Sequence, residues 1–342
     1  MALAPQHEPA PAPVHDPVQA SLYDAALVAD IGGTNARFAL VEAGSLELQQ
    51  VMTLATASFA NIDDAIHFYL QQAGAPRVQR ACLALACPVE QDPLSMTNSH
   101  WCFSRAELQT RFGWQQLRLV NDFTAMALAM LHLDDDDLVE IHRGQTIDGA
   151  PRLVIGPGTG LGVSALIPVG CDWYPLSSEG GHVSFAPTNQ ADLKIWQAFR
   201  QRYPRLSVER LLSGQGLLEL YQLLVDIESQ PRVCETAAEV TGLALQQGCP
   251  LALASWQHFL AILGAVVGDH VLTLGARGGV YLCGGILPRV QPLLADSNFI
   301  AAMINKGRYQ SYLEAVPVWL CSAENPGLVG AAVALDNPLL SR

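Results

Sequence analysis

Asp30-Ile-Gly-Gly-Thr-Asn-Ala-Arg37 lies between two short apolar runs, Ala26-Leu-Val-Ala-Asp30 and Ala36-Arg-Phe-Ala-Leu-Val41. Such runs separated by a glycine pair predict a β-hairpin closed by a glycine turn. The turn has a second use. Two successive glycines let the backbone approach an anion closely and turn its N–H groups towards it, and Thr34 can add a hydroxyl donor. Taken alone, such a glycine pair is more often only a tight hairpin. The device recurs, however, as Leu153-Val-Ile155, Gly156-Pro-Gly-Thr-Gly-Leu-Gly162 and Val163-Ser-Ala-Leu-Ile167, and a third glycine pair, Gly284-Gly285, ends the strand Gly279-Val-Tyr-Leu-Cys283. Glycine turns repeated at strand ends favour the anion-binding use.

Outside these turns the chain is short of cations. The 342 residues carry a formal charge of −13, with Lys194 and Lys306 as the only lysines. That balance excludes a nucleic-acid or anionic-membrane surface, which needs clustered positive charge. A small anionic ligand would have to be held by backbone amides, a helix dipole or a metal ion. The length suits two domains at roughly 150 residues each, and so a cleft between them. With 50% hydrophobic and 15% charged residues, the composition is that of a well-packed globular protein.

The eight cysteines include no C-x-x-C pair and several lie in apolar runs such as Ala81-Cys-Leu-Ala-Leu-Ala-Cys87, as buried free thiols of a reducing, cytoplasmic compartment would. The longest apolar stretch, Phe259 to Gly268, stops at Asp269-His270, short of the ~18 residues of a membrane span, so no transmembrane helix is expected. Residues 1–20 hold five prolines and neither a basic nor an apolar signal region; a flexible tail over 1–22 is expected.

Along the folded part, an amphipathic helix is predicted near 61–73, a strand over 81–86 and another at Leu117-Arg-Leu-Val120. Asn121-Asp122 then opens a helix over Phe123 to Leu133. Asp134-Asp-Asp-Asp137 reads as a solvated turn at a domain boundary. The stretch 190–265 reads as mainly helical, and a last strand, Val316 to Leu320, precedes a Gly/Ala-rich helix, Gly327 to Leu335. Strands alternating with helices predict an α/β architecture.

Two common phosphate sites are absent. Neither lysine follows a glycine loop, which removes the P-loop, and Leu161 stands where the dinucleotide fingerprint requires its third glycine. Asp30, at the end of its strand, is placed to bind Mg2+ through water. Asp122, at another strand end, is placed either to cap the following helix or to take a proton in phosphoryl transfer.

Asp30-x-Gly-Gly-Thr-Asn-x-Arg37, Asn121-Asp122-Phe-Thr-Ala125, Gly158-Thr-Gly-Leu-Gly162, Glu179-Gly-Gly-His182, Glu209-Arg-Leu-Leu-Ser-Gly214 and Gly284-Gly-Ile-Leu-Pro-Arg289 together resemble, in this order, the bacterial glucokinases, from about Leu27 to about Leu335. Pro157 and Ser178 depart from that pattern. The resemblance implies an actin-like ATPase (ribonuclease H-like) α/β fold of two domains with an interdomain cleft. These would be a small domain, 23–132 completed by 323–342, and a large one, 133–322. It implies ATP-dependent phosphorylation of glucose, with Asp122 as catalytic base and Asn121, Asp122, Glu179, His182 and Glu209 holding the sugar. Ala29, Asp30, Ile31, Gly32, Gly33, Thr34, Gly158, Thr159, Gly160, Gly284 and Gly285 would hold ATP. Mg2+ as cofactor, with no direct protein ligand, and a homodimeric state are implied likewise. A kinase of a related hexose or N-acetylhexosamine, or an actin-like or Hsp70-like ATPase switch, are the alternatives. A switch would not need Glu179, His182 and Glu209 together.

Overall fold

The computed structural model describes residues 25–74 and 78–340, so the Pro-rich tail lies outside the described residues. Two mixed sheets organise the chain. In the first, β1 (Ala26–Ile31), β2 (Asn35–Val41) and β3 (Gln49–Ala55) form an antiparallel meander. After α1 (Ile62–Gln72), β4 (Arg80–Leu85) pairs with β1 in parallel. A small hairpin of β5 (Leu94–Ser95) and β6 (Cys102–Phe103) and then α2 (Arg105–Phe112) lead to β7 (Gln116–Asn121), parallel to β4, and on to α3 (Asp122–Ala129).

The second sheet repeats the plan. β8 (Leu138–His142) is an added edge strand, and β9 (Arg152–Pro157), β10 (Leu161–Val169) and β11 (Asp172–Ser178) form the meander. Helices α4 (Gln190–Arg202), α5 (Gly214–Ile227), α6 (Ala237–Leu245) and α7 (Pro250–Leu274) precede β12 (Val280–Leu282). Then α8 (Gln291–Ala295), α9 (Phe299–Ile304) and α10 (Gln310–Glu314) precede β13 (Val318–Cys321) and α11 (Pro326–Asp336). The strand orders are β3-β2-β1-β4-β7 and β11-β10-β9-β12-β13-β8, which correspond strand for strand once β8 is set aside.

Strand periodicity explains how the sheets are covered. Successive side chains alternate between faces, so Leu27, Ala29 and Ile31 of β1 pack with Ile66, Tyr69 and Leu108 on the outer side of the first sheet. Leu153 and Ile155 of β9 pack likewise beneath α5 and α7 in the largest core. The opposite faces, Val28 and Cys82 from one sheet and Val154 and Tyr281 from the other, meet α3 and α11 in a third core between the sheets. Both faces of the central strands are therefore buried, which is why they read as continuous apolar runs.

The helices α3 and α11 are rich in Ala and Gly because they share this narrow layer. At Gly330 a Cβ would stand 1.7 Å from the Ala125 carbonyl oxygen, so only glycine permits the observed approach. Gly330→Ala is expected to force the helices apart at an overpacking cost of about 1–3 kcal/mol. Thermal unfolding should start a few degrees lower; an unchanged transition would show that this layer yields freely.

Two sequence expectations need correction. The apolar run read as ending at Asp269-His270 belongs to a 25-residue helix, α7, long and apolar enough by composition to cross a membrane. Of its most apolar window 67% is buried inside the fold, so it is the central core helix of the second unit. Asp269 does not interrupt it, because its carboxylate projects outward to pair with Lys306 Nζ at 2.6 Å. The helix after Asn121-Asp122 is also shorter than expected, ending at Ala129, and Asp134 to Asp137 form a capped 3-10 turn before β8.

Candidate active site

The first glycine turn hangs between β1 and β2. The Gly32 N–H closes it on the Asn35 carbonyl at 2.9 Å, while Gly33 and Thr34 form its tip. Asp30 and Arg37 face each other across the hairpin and pair at 3.3 Å. The same alternation puts Ala29 and Ile31, both fully buried, in the outer core. They brace the turn from below and offer no side-chain surface to a ligand, so the expectation that they hold nucleotide does not extend to their side chains. Asp30 points the other way, towards Gly327 at the start of α11, where a Cβ would stand 2.8 Å from its carboxyl carbon.

Asn121 ends β7 and caps α3. Its Oδ1 accepts the N–H groups of Phe123 at 2.9 Å and Thr124 at 3.3 Å. The cap is thus Asn121, not Asp122, because the backbone is extended at 121 and helical from 122. With Oδ1 occupied, the Asn121 amide nitrogen is left to donate outward. Asp122 is the first helical residue and accepts the Phe123 N–H at 2.9 Å. Burial, reinforced by the negative charges of Asp30 and Glu179, pushes its carboxyl up to about 7.

Residues expected to hold the sugar converge from two loops. His182 Nε2 stands 3.8 Å from Glu179 Oε2 and 3.7 Å from Glu209 Oε1, with all three side chains partly exposed. Glu209 has a second commitment: its Oε2 accepts the Leu161 N–H at 3.0 Å, tying it to the second glycine turn. The Gly158 carbonyl accepts the Gly214 N–H at 3.0 Å, so that turn also abuts the start of α5. Gly284, at φ +86°, takes a left-handed conformation that favours glycine, and it folds the third turn against Pro157.

The two departures from the motif pattern have local roles. Ser178 Oγ accepts the Gly180 N–H at 3.0 Å, shaping the loop that carries Glu179 and His182. Pro157 ends β9, where its carbonyl lies beside Gly284. Behind the 178–183 loop is a cavity of about 180 Å³, walled partly by His270, which lies against Gly180 and whose imidazole burial pushes below its ordinary value. His270, Thr56 and Asn98 support the site and lie in none of the motifs singled out from the sequence. Ser213, within the Glu209–Gly214 motif, caps α5 by accepting the Gly216 N–H at 3.2 Å.

The structure thus brings Asp30 and Glu179 within electrostatic reach of Asp122, sets His182 3.8 Å from Glu179 and 3.7 Å from Glu209, and bonds Glu209 to the second turn. Among the described residues, Thr159 and Gly285 form no hydrogen bond or ion pair. Backbone-lined turns at the strand ends of two matching sheets, facing a set of carboxylates, define an actin-like ATPase fold equipped as a sugar kinase.

The chain belongs to the glucokinase family, whose profile, described as Glucokinase, matches residues 27–338. The glucokinase of Chromohalobacter salexigens is 49% identical over 312 residues, 91% of this chain and 98% of that one. Among solved structures, glucokinase from an Antarctic psychrotroph aligns with a TM-score of 0.82 at 37% identity, covering 92% of this chain and 99% of its own. A ROK-family glucokinase from Streptomyces griseus, solved with glucose and AMPPNP, shares the fold, with a TM-score of 0.61 at 18% identity over 90% of this chain and 98% of its own. The reaction of this chain is ATP-dependent phosphorylation of glucose to glucose 6-phosphate, with ATP as phosphoryl donor. The alternative of a hydrolytic ATPase switch is not favoured.

Proposed function

We propose that Asp122 is the general base of this reaction and that the remaining roles divide between the two sheets. The carrying observation is the Asp122 carboxyl, pushed up to about 7 at the N-terminus of α3, between Asp30 and the sugar-side loop. A base of that strength is matched to a proton transfer near neutral pH. As the glucose 6-hydroxyl oxygen forms its bond to the γ-phosphorus, the bond to the ADP oxygen breaks and the hydroxyl proton passes to Asp122. Asn121, with its carbonyl committed to the helix cap, donates to a neighbouring sugar hydroxyl. Glu179 and Glu209 accept from hydroxyls in the gaps of 3.8 and 3.7 Å beside His182, too wide for direct bonds and suited to bridging groups.

The turns at 32–34 and 158–160 hold the phosphates through backbone amides, and the turn at 284–285 abuts adenosine. Mg2+ keeps several of its waters and is bound mainly through substrate phosphates. The site fits such an ion, because the charge of Asp30 opposes ionisation of Asp122 and a cation would offset that repulsion. Asp30 would hold it through water, and the ion would supply charge neutralisation on the phosphates. The segments 23–132 with 323–342 and 133–322 act as the two closing domains, supported by the separate outer cores of the two sheets. The enzyme is read as a cytoplasmic homodimer, and eight free cysteines support a reducing location.

The test is the pH dependence of kcat/KM for glucose at saturating MgATP. The base works only when deprotonated, so kcat/KM should fall tenfold per unit as pH drops below about 7, the value set by burial and Asp30. A flat profile down to pH 5.5 would exclude Asp122 with its raised pKa as the base.

A further inference from the structure

We infer that Thr56 is a positioning residue for phosphate binding, aiming one amide of the first glycine turn into the site; this rests on reading that turn as a phosphate grip. Thr56 follows β3 directly, is 3% exposed and belongs to none of the sequence motifs. Its Oγ1 lies 2.7 Å from the Gly33 carbonyl and 3.0 Å from the Thr34 carbonyl, and its own N–H donates to the Thr34 carbonyl at 3.0 Å. One buried side chain therefore draws both carbonyls at the tip of the turn to one side.

Peptide geometry carries the consequence. In a planar trans peptide the N–H points opposite to the C=O. Pinning the Gly33 carbonyl towards Thr56 therefore aims the Thr34 N–H away from it, to the side where Thr34 is exposed. That amide has no partner among the described residues, whereas the Gly32 N–H is spent on closing the hairpin. Glycine turns can otherwise rotate this peptide at little cost, since glycine tolerates either sign of φ. Packing also confines the turn: a Cβ on Gly33 would stand 2.6 Å from both Asn98 Cβ and the Asn98 carbonyl oxygen. The turn is thus held by the Thr56 hydroxyl and packed against Asn98, with the Thr34 amide left to face an anion.

Thr56→Val keeps the shape and removes the hydroxyl. The ATP KM and the ADP Kd should rise about tenfold, the scale of one lost hydrogen bond, while the glucose KM and the affinity for adenosine, which lacks phosphate, stay within about twofold. Thr56→Ser should restore ADP binding, which a purely packing role would not predict. Unchanged ADP affinity in folded Thr56→Val would overturn the inference. Gly33→Ala separates the two readings: if it weakens ADP while Thr56→Val does not, only the positioning role fails, and if neither weakens ADP the turn is not a phosphate grip. Should Thr56→Val not fold, Thr56→Ala, which adds no bulk, is measured against the same nucleotides with the same outcomes.

Discussion

Asp122→Asn is expected to lower kcat by about 10²–10⁴-fold, as loss of a general base does, and at the same time to make the protein more stable at pH 8. Asparagine is nearly isosteric and keeps an oxygen for the Phe123 N–H, and the helix cap, made by Asn121, is untouched. What it removes is a carboxylate that burial and the Asp30 charge disfavour. The group titrates at about 7 in the native protein and near its ordinary 3.8 in the unfolded chain. Between those values the folded wild type binds a proton that the unfolded chain releases. Its stability therefore falls as pH rises from about 4 to about 7 and levels off above. The amide does not titrate, so the advantage of Asp122→Asn should open across that window and be largest above pH 7. Melting curves at pH 5 and pH 8, paired with kcat, decide the matter. A variant that was inactive but less stable at pH 8 would point to a structural carboxylate, and one phosphorylating glucose within tenfold of wild type would move the base elsewhere.

Glu209→Ala should impair both substrates, whereas Glu179→Gln should impair only one. Glu209 offers Oε1 beside His182 and commits Oε2 to the Leu161 N–H of the second glycine turn, at 3.0 Å. On the proposed reading, removing it takes away charge-assisted bonds to sugar, each worth roughly 1.5–3 kcal/mol, so the glucose KM should rise about 10–100-fold. It also frees the second glycine turn, proposed to hold the phosphates, and the ATP KM should rise several-fold. Glu179 has no such tie to the turn, and its amide variant should raise the glucose KM by about tenfold with ATP unaffected. Equal ATP KM values in the two variants would show that the bond between Glu209 and Leu161 transmits nothing.

The elements legible in the chain were those whose cause lies within a few residues. The glycine turns after Asp30 and Ile155, the strands around them and the helix opened by Asn121-Asp122 follow from neighbouring residues, and the six ordered motifs pointed to the family that the comparisons show. Edge strands were not legible. β8 and β11 are mostly half-exposed, so neither a continuous apolar run nor a clean alternation marks them. The full length of α7 was hidden because Asp269 breaks the apolar run, and only Lys306, 37 residues away, shows that its charge points outward.

Within the site, the sequence by itself determined which residue types stand at the strand ends and so which chemistry is available. Tertiary structure alone decided that Thr56 pins the Gly33 carbonyl, that Gly327 meets Asp30 and that Glu209 reaches the Leu161 amide. It decided also how far the Asp122 carboxyl is pushed up, because that depends on burial between two sheets and on Asp30 from a distant strand. Turns and caps are set by local dihedral preferences, whereas desolvation and long-range hydrogen bonds exist only once the second sheet has closed over the first.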